Sequence, residues 1–309
     1  MFSPLVRQRL LLAALLWFGS TGLLWTPILS PLDWLTLPGY YAISALLLDL
    51  AARFRARDVF ALLTLAGIYG LLAAVFIHPA TALIDMPRTL FTRALGAHAL
   101  VGLIALVTFL RGRNSLLYLG GALLVGVAAG VWARWSPVEL WGTAEPTPLI
   151  TALSTFAVGV VVYLALSALA QQPDPPTDYR LSPLGWLIIS VIGSALILFH
   201  AAQGRIDGVA AITSLVLVGF STAILWFQKR VKGAMLLNRL PAQRLPGGLL
   251  PAVAFFVGVM TGCLLPRTDP DGISILVSLF AAYGVIWLPA VSIVLGWRAF
   301  ARQARALKL

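Results

Sequence analysis

The sequence predicts an all-α protein, a polytopic transmembrane helical bundle of about ten spans, and three observations carry that expectation. Hydrophobic residues fill 60% of the 309 positions and charged residues only 11%, against roughly a quarter charged in an ordinary soluble domain. The apolar residues are gathered into runs long enough to cross a bilayer. The 22 basic residues fall unevenly into alternate connections between those runs.

The runs lie at 10–30, 34–52, 59–78, 94–110, 116–133, 148–170, 184–202, 208–228, 248–266 and 273–297. They are too long for barrel strands and lack apolar/polar alternation, so each is expected to be helical. Arg7 and Arg9 precede the first run in the order of a secretion signal. That run continues to about Trp25 with no small-x-small cleavage site, and it is expected to remain as the first span. Such a count fills the chain, so residues 1–309 are expected to form a single integral membrane domain.

Basic residues near the ends of spans are retained in the cytoplasm, which orients the threading. One side receives Arg7, Arg9, Arg53, Arg55, Arg57, Arg111, Arg113, Arg180, Lys229, Arg230, Lys232, Arg239, Arg244, Arg298, Arg302, Arg305 and Lys308. The other receives only Arg88, Arg93, Arg134, Arg205 and Arg267, together with Asp33, Asp85, Glu139, Glu145, Asp207, Asp269 and Asp271. Both termini are therefore expected on the cytoplasmic side of a plasma or inner membrane. Connection 171–183 is the weakest of the inner set, because Asp174 and Asp178 outnumber Arg180.

The net charge of +11 is read through this placement as a topology signal, and no nucleic-acid partner is expected. The lone Cys263 excludes an intrachain disulfide and a multi-cysteine metal site. Trp132, Trp135 and Trp141 flank one outer connection as expected headgroup anchors. Segment 229–247 interleaves basic residues with Met235, Leu236, Leu237 and Leu240, the composition of a surface segment lying on anionic lipid.

Connection lengths suggest a duplication. They run very short, about six, about 15 and about five residues in the first half and about 12, about five, about 19 and about six in the second, so the order short, long, short recurs apart from the first gap. Halves 1–133 and 148–309 of five spans each would enter the membrane in opposite directions, the inverted-repeat plan of many secondary transporters. Ten spans in about 300 residues, both ends inside, and five plus five resemble the drug/metabolite transporter superfamily in layout. The resemblance implies a small-solute permease and carries over no residue.

Ionisable groups inside a bilayer are costly and therefore informative. Asp49 lies one helical turn before Arg53, the spacing of a snorkelling ion pair, and is also a candidate on a transport path. His78, His98 and His200 are threaded to similar depth, where three imidazoles and Asp85 would form a metal site if they converge. Ala122, Gly126 and Gly130 give one helix a small-residue face. Gly19, Ser20, Thr21 and Gly22 interrupt the first span, and Ser221 with Thr222 follows Gly219 in the eighth. Tyr69 between Gly67 and Gly70, and Tyr283 with Gly284 before Pro289, are candidates for a path or hinge. Pro38 is a second candidate kink, whereas Pro251 is expected in a first turn.

No nucleotide loop, zinc-protease helix, nucleophile elbow or aspartate-rich motif is present, and the sequence names no cofactor. A permease for a small solute or lipid leads. A cofactor-free accessory subunit packed beside other membrane proteins comes second, and a membrane enzyme with an outward-facing site third.

Overall fold

The computed structural model describes residues 3–24, 36–110, 116–170, 178–228, 234–239, 245–266 and 272–306. Among these residues there is no strand. The helices are α1 (Pro4–Trp17), α2 (Leu37–Arg53), α3 (Val59–Phe76), α4 (Pro79–Ala82), α5 (Ala99–Leu110), α6 (Leu116–Trp141), α7 (Leu149–Ala170), α8 (Pro183–Ala202), α9 (Gly208–Gln228), α10 (Leu245–Leu264) and α11 (Gly272–Ala306). Two wider π-helical stretches adjoin them: Phe18–Leu23 extends α1, and Leu90–His98 runs into α5.

Seven of these segments are long and apolar enough to cross a membrane, and Leu249–Leu264 is a shorter apolar helix. This is the architecture of a multi-pass helical membrane protein. Each expected run holds a helix, with displaced ends. The fourth starts at Leu90, before Arg93, and the fifth continues to Trp141 through Arg134, Pro137 and Glu139. Charged side chains reach out along a helix without ending it, so bounding a run at its first charge shortens the helix. Because α10 begins at Leu245, Pro251 sits inside it and not in its first turn. Most of segment 229–247 lies outside the described residues, as do Asp33, Asp174 and Asp269.

The chain divides into two compact units, each assembled from three separated stretches. Unit 1 comprises 1–41, 107–177 and 240–279, and unit 2 comprises 42–106, 178–239 and 280–309.

In unit 1, α6 and α10 cross with their backbones in contact. A Cβ added at Gly126 or Gly130 would strike the carbonyl oxygen of Phe255 or Val259, and one at Gly258 or Gly262 that of Leu123 or Val127. Small residues make this approach possible, and the small-residue face expected at Gly126 and Gly130 is its first half. The Cys263 Sγ lies 3.6 Å from the Gly130 carbonyl within the same contact. Phe18 packs edge-on to Phe156 at 6.0 Å, over Gly159 of α7.

In unit 2, α3 is the central element, apolar all round and buried on most of its surface. Trp287 lies over Gly67 and donates its indole N–H to the Leu63 carbonyl at 2.9 Å. Gly70 meets the Ala94 carbonyl, and Tyr69 packs over Gly102. The unit has a glycine crossing of its own: Gly96 faces the Phe280 carbonyl while Gly284 faces that of Phe91. In both crossings each glycine meets a carbonyl about one turn before the opposing glycine.

Two turns of unit 2 also share one construction. After α2, the Ala56 N–H donates to the Ala51 carbonyl at 2.8 Å and the Arg55 N–H to Ala52 at 3.3 Å, with Arg55 left-handed at φ 53°. After α8, Arg205 donates to His200 at 3.0 Å and Gly204 to Ala201 at 2.9 Å, with Gly204 at φ 64°. This is the paired closure of a helix end around a left-handed residue. Three positions on, Asp58 caps the next helix by accepting from the Ala61 N–H at 2.9 Å, and Asp207 by accepting from Val209 at 2.9 Å. Further along, Thr64 and Thr213 donate to the carbonyls of Phe60 and Val209, at 2.7 and 2.8 Å.

The crossing in unit 1 yields a direct test. Gly258→Leu or Gly126→Leu should lower the thermal midpoint of the purified protein, since an inserted side chain would force the helices apart at a cost of roughly 1–3 kcal/mol or more. Gly120→Leu, where an added Cβ meets nothing within 4 Å, should leave the midpoint unchanged. Equal effects at the two kinds of site would exclude backbone contact.

Candidate functional site

The candidate site forms around the connection that follows α3. His78 lies beyond that spanning helix, its N–H closing onto the Ala73 carbonyl at 2.9 Å, and it opens α4 ahead of Pro79. The Thr81 hydroxyl donates to the His78 carbonyl at 3.1 Å. His98 ends the π-helical stretch and is wholly buried. The two imidazoles stack, with centroids 5.1 Å apart and planes 14° apart.

His200, at the end of α8, hydrogen-bonds the Phe76 backbone and is close enough to His78 to act on its charge. The three histidines expected to share a depth thus belong to one neighbourhood. Among the described residues, however, no group of three or more His, Cys, Asp or Glu side chains is placed to hold a metal ion. The stack gives the physical reason: near-parallel rings turn their faces to one another, whereas a shared metal needs in-plane lone pairs to converge. The expected metal centre at His78, His98 and His200 is therefore not assembled in this structure, nor is Asp85 drawn into it. Asp85 instead sits 3.8 Å from Arg88.

Burial, and then neighbouring His200, pushes the His78 imidazole down to about 3, so it is neutral at physiological pH. A neutral imidazole offers one acceptor and one donor. His200 shows what that leaves over: its Nδ1 is buried with no hydrogen-bond partner among the described residues. The Thr89, Ser214 and Tyr283 hydroxyls of the same unit are in the same condition. Each such atom costs about 1–3 kcal/mol until water or a ligand satisfies it.

The remaining expected residues separate. Tyr283 packs on the apolar cluster of Leu90, Ala94 and Trp287, next to the Gly284 crossing. Pro289 lies within the continuous helix α11, and Pro38 in the first turn of α2. Tyr69 is fully buried. Ser221 and Thr222 donate to carbonyls of their own helix, at 2.7 and 2.8 Å. Thr21 instead reaches out of its π-helical stretch to the Tyr40 hydroxyl, 2.9 Å away. Trp132 and Trp135 tie segments of unit 1 together, donating to the carbonyls of Leu24 and Leu265 at 3.4 and 3.3 Å.

Asp49 forms the pair that its spacing predicts. Its carboxylate accepts from Arg53 Nε and Nη2, both at 3.0 Å, and from the Leu181 N–H at 2.7 Å. The last contact has no sequence signal, being 132 positions away and made by backbone. Thr89, next to Arg88, and Ser214, next to Thr213, are not marked out in the sequence either.

The histidines give a pH prediction. An unfolded histidine titrates near 6.5, well above His78 in the fold, so the unfolded state binds more protons in that window. Stability should be full above about pH 6.5 and decline as pH falls toward 3. Thermal midpoints between about pH 7.5 and about pH 5 should trace the decline, and His78→Gln should flatten it. An unchanged slope in that variant would mean that His78 is solvated.

No protein-family model, curated protein or solved structure matches this chain.

Proposed function

We propose that the chain is a permease for a small, uncharged polar solute or a lipid. In this reading it has ten spans in two inverted halves, resembles the drug/metabolite transporters in layout, and keeps both termini cytoplasmic in a plasma or inner membrane. The observation that carries the reading is the shared construction of the two turns. Arg55 and Gly204, Asp58 and Asp207, and Thr64 and Thr213 are each 149 positions apart. Under the charge-derived threading these turns lie on opposite faces of the membrane, as an inverted repeat requires.

Helix contacts support the same register. Spans equivalent under five plus five meet one another in α1 with α7 and in α3 with α9. The crossing of the fifth span with the ninth, through Gly126 and Gly258, has its counterpart in the tenth with the fourth, through Gly284 and Gly96. The unpartnered polar atoms of unit 2 and the π-helical stretches supply what a solute path needs, hydrogen-bonding groups and locally interrupted helices.

An accessory subunit is the second reading. It is favoured by α8, whose Trp186, Leu187, Ile188, Val191 and Leu198 are all exposed and would suit a partner helix as well as lipid.

Two measurements test the proposal. A reporter fused after Leu309 should be cytoplasmic and one inserted near Glu145 outside, and finding both on one side would overturn the span count. Proteoliposomes loaded with a labelled small-metabolite extract should lose particular solutes faster than protein-free liposomes. Identical losses would remove the permease reading in favour of the subunit.

A further inference from the structure

The two equivalent turns of unit 2 differ in what is docked on them. Three separate elements fasten onto the turn between α2 and α3. The segment before α8 donates the Leu181 N–H to Asp49, a carboxylate with no exposed surface. The segment after α9 donates the Leu236 N–H to the Ala56 carbonyl at 2.8 Å. From α11, Arg298 pairs with Asp58 and lies over the Phe60 ring at 4.9 Å. The Arg53 guanidinium that holds Asp49 also sits over Trp186 of α8, at 5.9 Å.

The turn between α8 and α9 has the same backbone, but beyond its last helical residue, His200, which hydrogen-bonds the Phe76 backbone, none of this cover is found among the described residues, and 201–205 and 207–209 are exposed. The position of Asp49 is taken by Leu198, which is exposed, and that of Ala56 by Arg205, also exposed. Among the described residues the Asp207 carboxylate accepts a hydrogen bond only from its own helix, at Val209. An inverted repeat whose two turns are alike in shape but unlike in docking is in one of two mirror-related states.

We propose that the turn between α2 and α3 is a cytoplasmic latch, closed in this state, and that the working cycle releases it while its counterpart between α8 and α9 becomes covered. Asp49 is its positioning residue. It is buried and triply hydrogen-bonded, and an asparagine in its place would keep one accepting oxygen for three N–H groups and turn an amide NH2 toward the Arg53 guanidinium, which breaks the ion pair. The inference rests on the permease reading, but labelling can test it without any solute.

In a Cys263→Ala background, Leu181→Cys keeps the backbone donor and places a thiol on the latch, whereas Arg205→Cys places one on the opposite turn. A membrane-impermeant maleimide should label the opposite-turn thiol quickly from outside and the latch thiol slowly from the cytoplasmic face of inverted vesicles. Adding Asp49→Asn should speed labelling of the latch thiol roughly tenfold or more and slow that of the opposite-turn thiol. Arg298→Gln should shift both rates in the same directions, which guards against misfolding of the first variant. Unchanged labelling of the latch thiol in both variants overturns the latch. Faster labelling there without slower labelling on the opposite turn overturns it too, since that is local fraying. Reciprocal shifts in a protein that moves no solute would uphold the latch and remove only the permease reading.

Discussion

Close approach of helix backbones is the constraint on which the rest of this molecule depends. Lipid is as apolar as leucine, so helices in a bilayer gain little from burying large side chains against each other and must hold together by fit. Here the fit is made by glycine. Gly126, Gly130, Gly258 and Gly262 bring α6 onto α10, and Gly96 with Gly284 brings α11 onto the π-helical stretch before α5. Once the backbones touch, side chains on either flank are committed. Cys263 points at the Gly130 carbonyl, and Tyr283 is held against the cluster around Leu90 and Ala94.

Much of this is legible in the chain. Runs of apolar residues locate the helices, because length and composition alone decide whether a segment can cross a bilayer. The face at Gly126 and Gly130 is readable from its spacing, and its partner at Gly258 and Gly262 repeats the same four-residue step, but spacing does not say which two faces meet. The proposed duplication has its sequence signal in connection lengths. Its residue-level trace is sparse: Ala52 with Ala201, Asp58 with Asp207, Ala61 with Ala210, Thr64 with Thr213 and Gly70 with Gly219. In a membrane helix most positions ask only for an apolar side chain, so the two copies of such a repeat would drift apart everywhere except at caps, back-bonded threonines and tight contacts.

The site is less legible, for a different physical reason. Equal depth in a membrane says nothing about angular position around a helix bundle, and only the fold could turn the rings of His78 and His98 face to face. Asp49 shows the complementary case. Its local partner, Arg53, follows from helical spacing, while Leu181 reaches it through a main-chain N–H that every residue but proline possesses. Main-chain donors carry no compositional mark, and the sequence is silent wherever they do the joining.

Arg55 closes the turn after α2 in the left-handed conformation that Gly204 adopts after α8. A side chain in that conformation costs on the order of 1 kcal/mol, a strain glycine avoids. On the proposed threading, the residue that bears the strain is also one of the charges that keep this connection in the cytoplasm. Insertion reads that charge during synthesis, before any helix has packed. On that threading the turn would carry two instructions addressed to different moments in the life of the chain: orientation during biogenesis, and backbone shape in the finished protein. Arginine at this position would then give priority to the earlier one, and the strain in the folded molecule would be a record of how it entered the membrane.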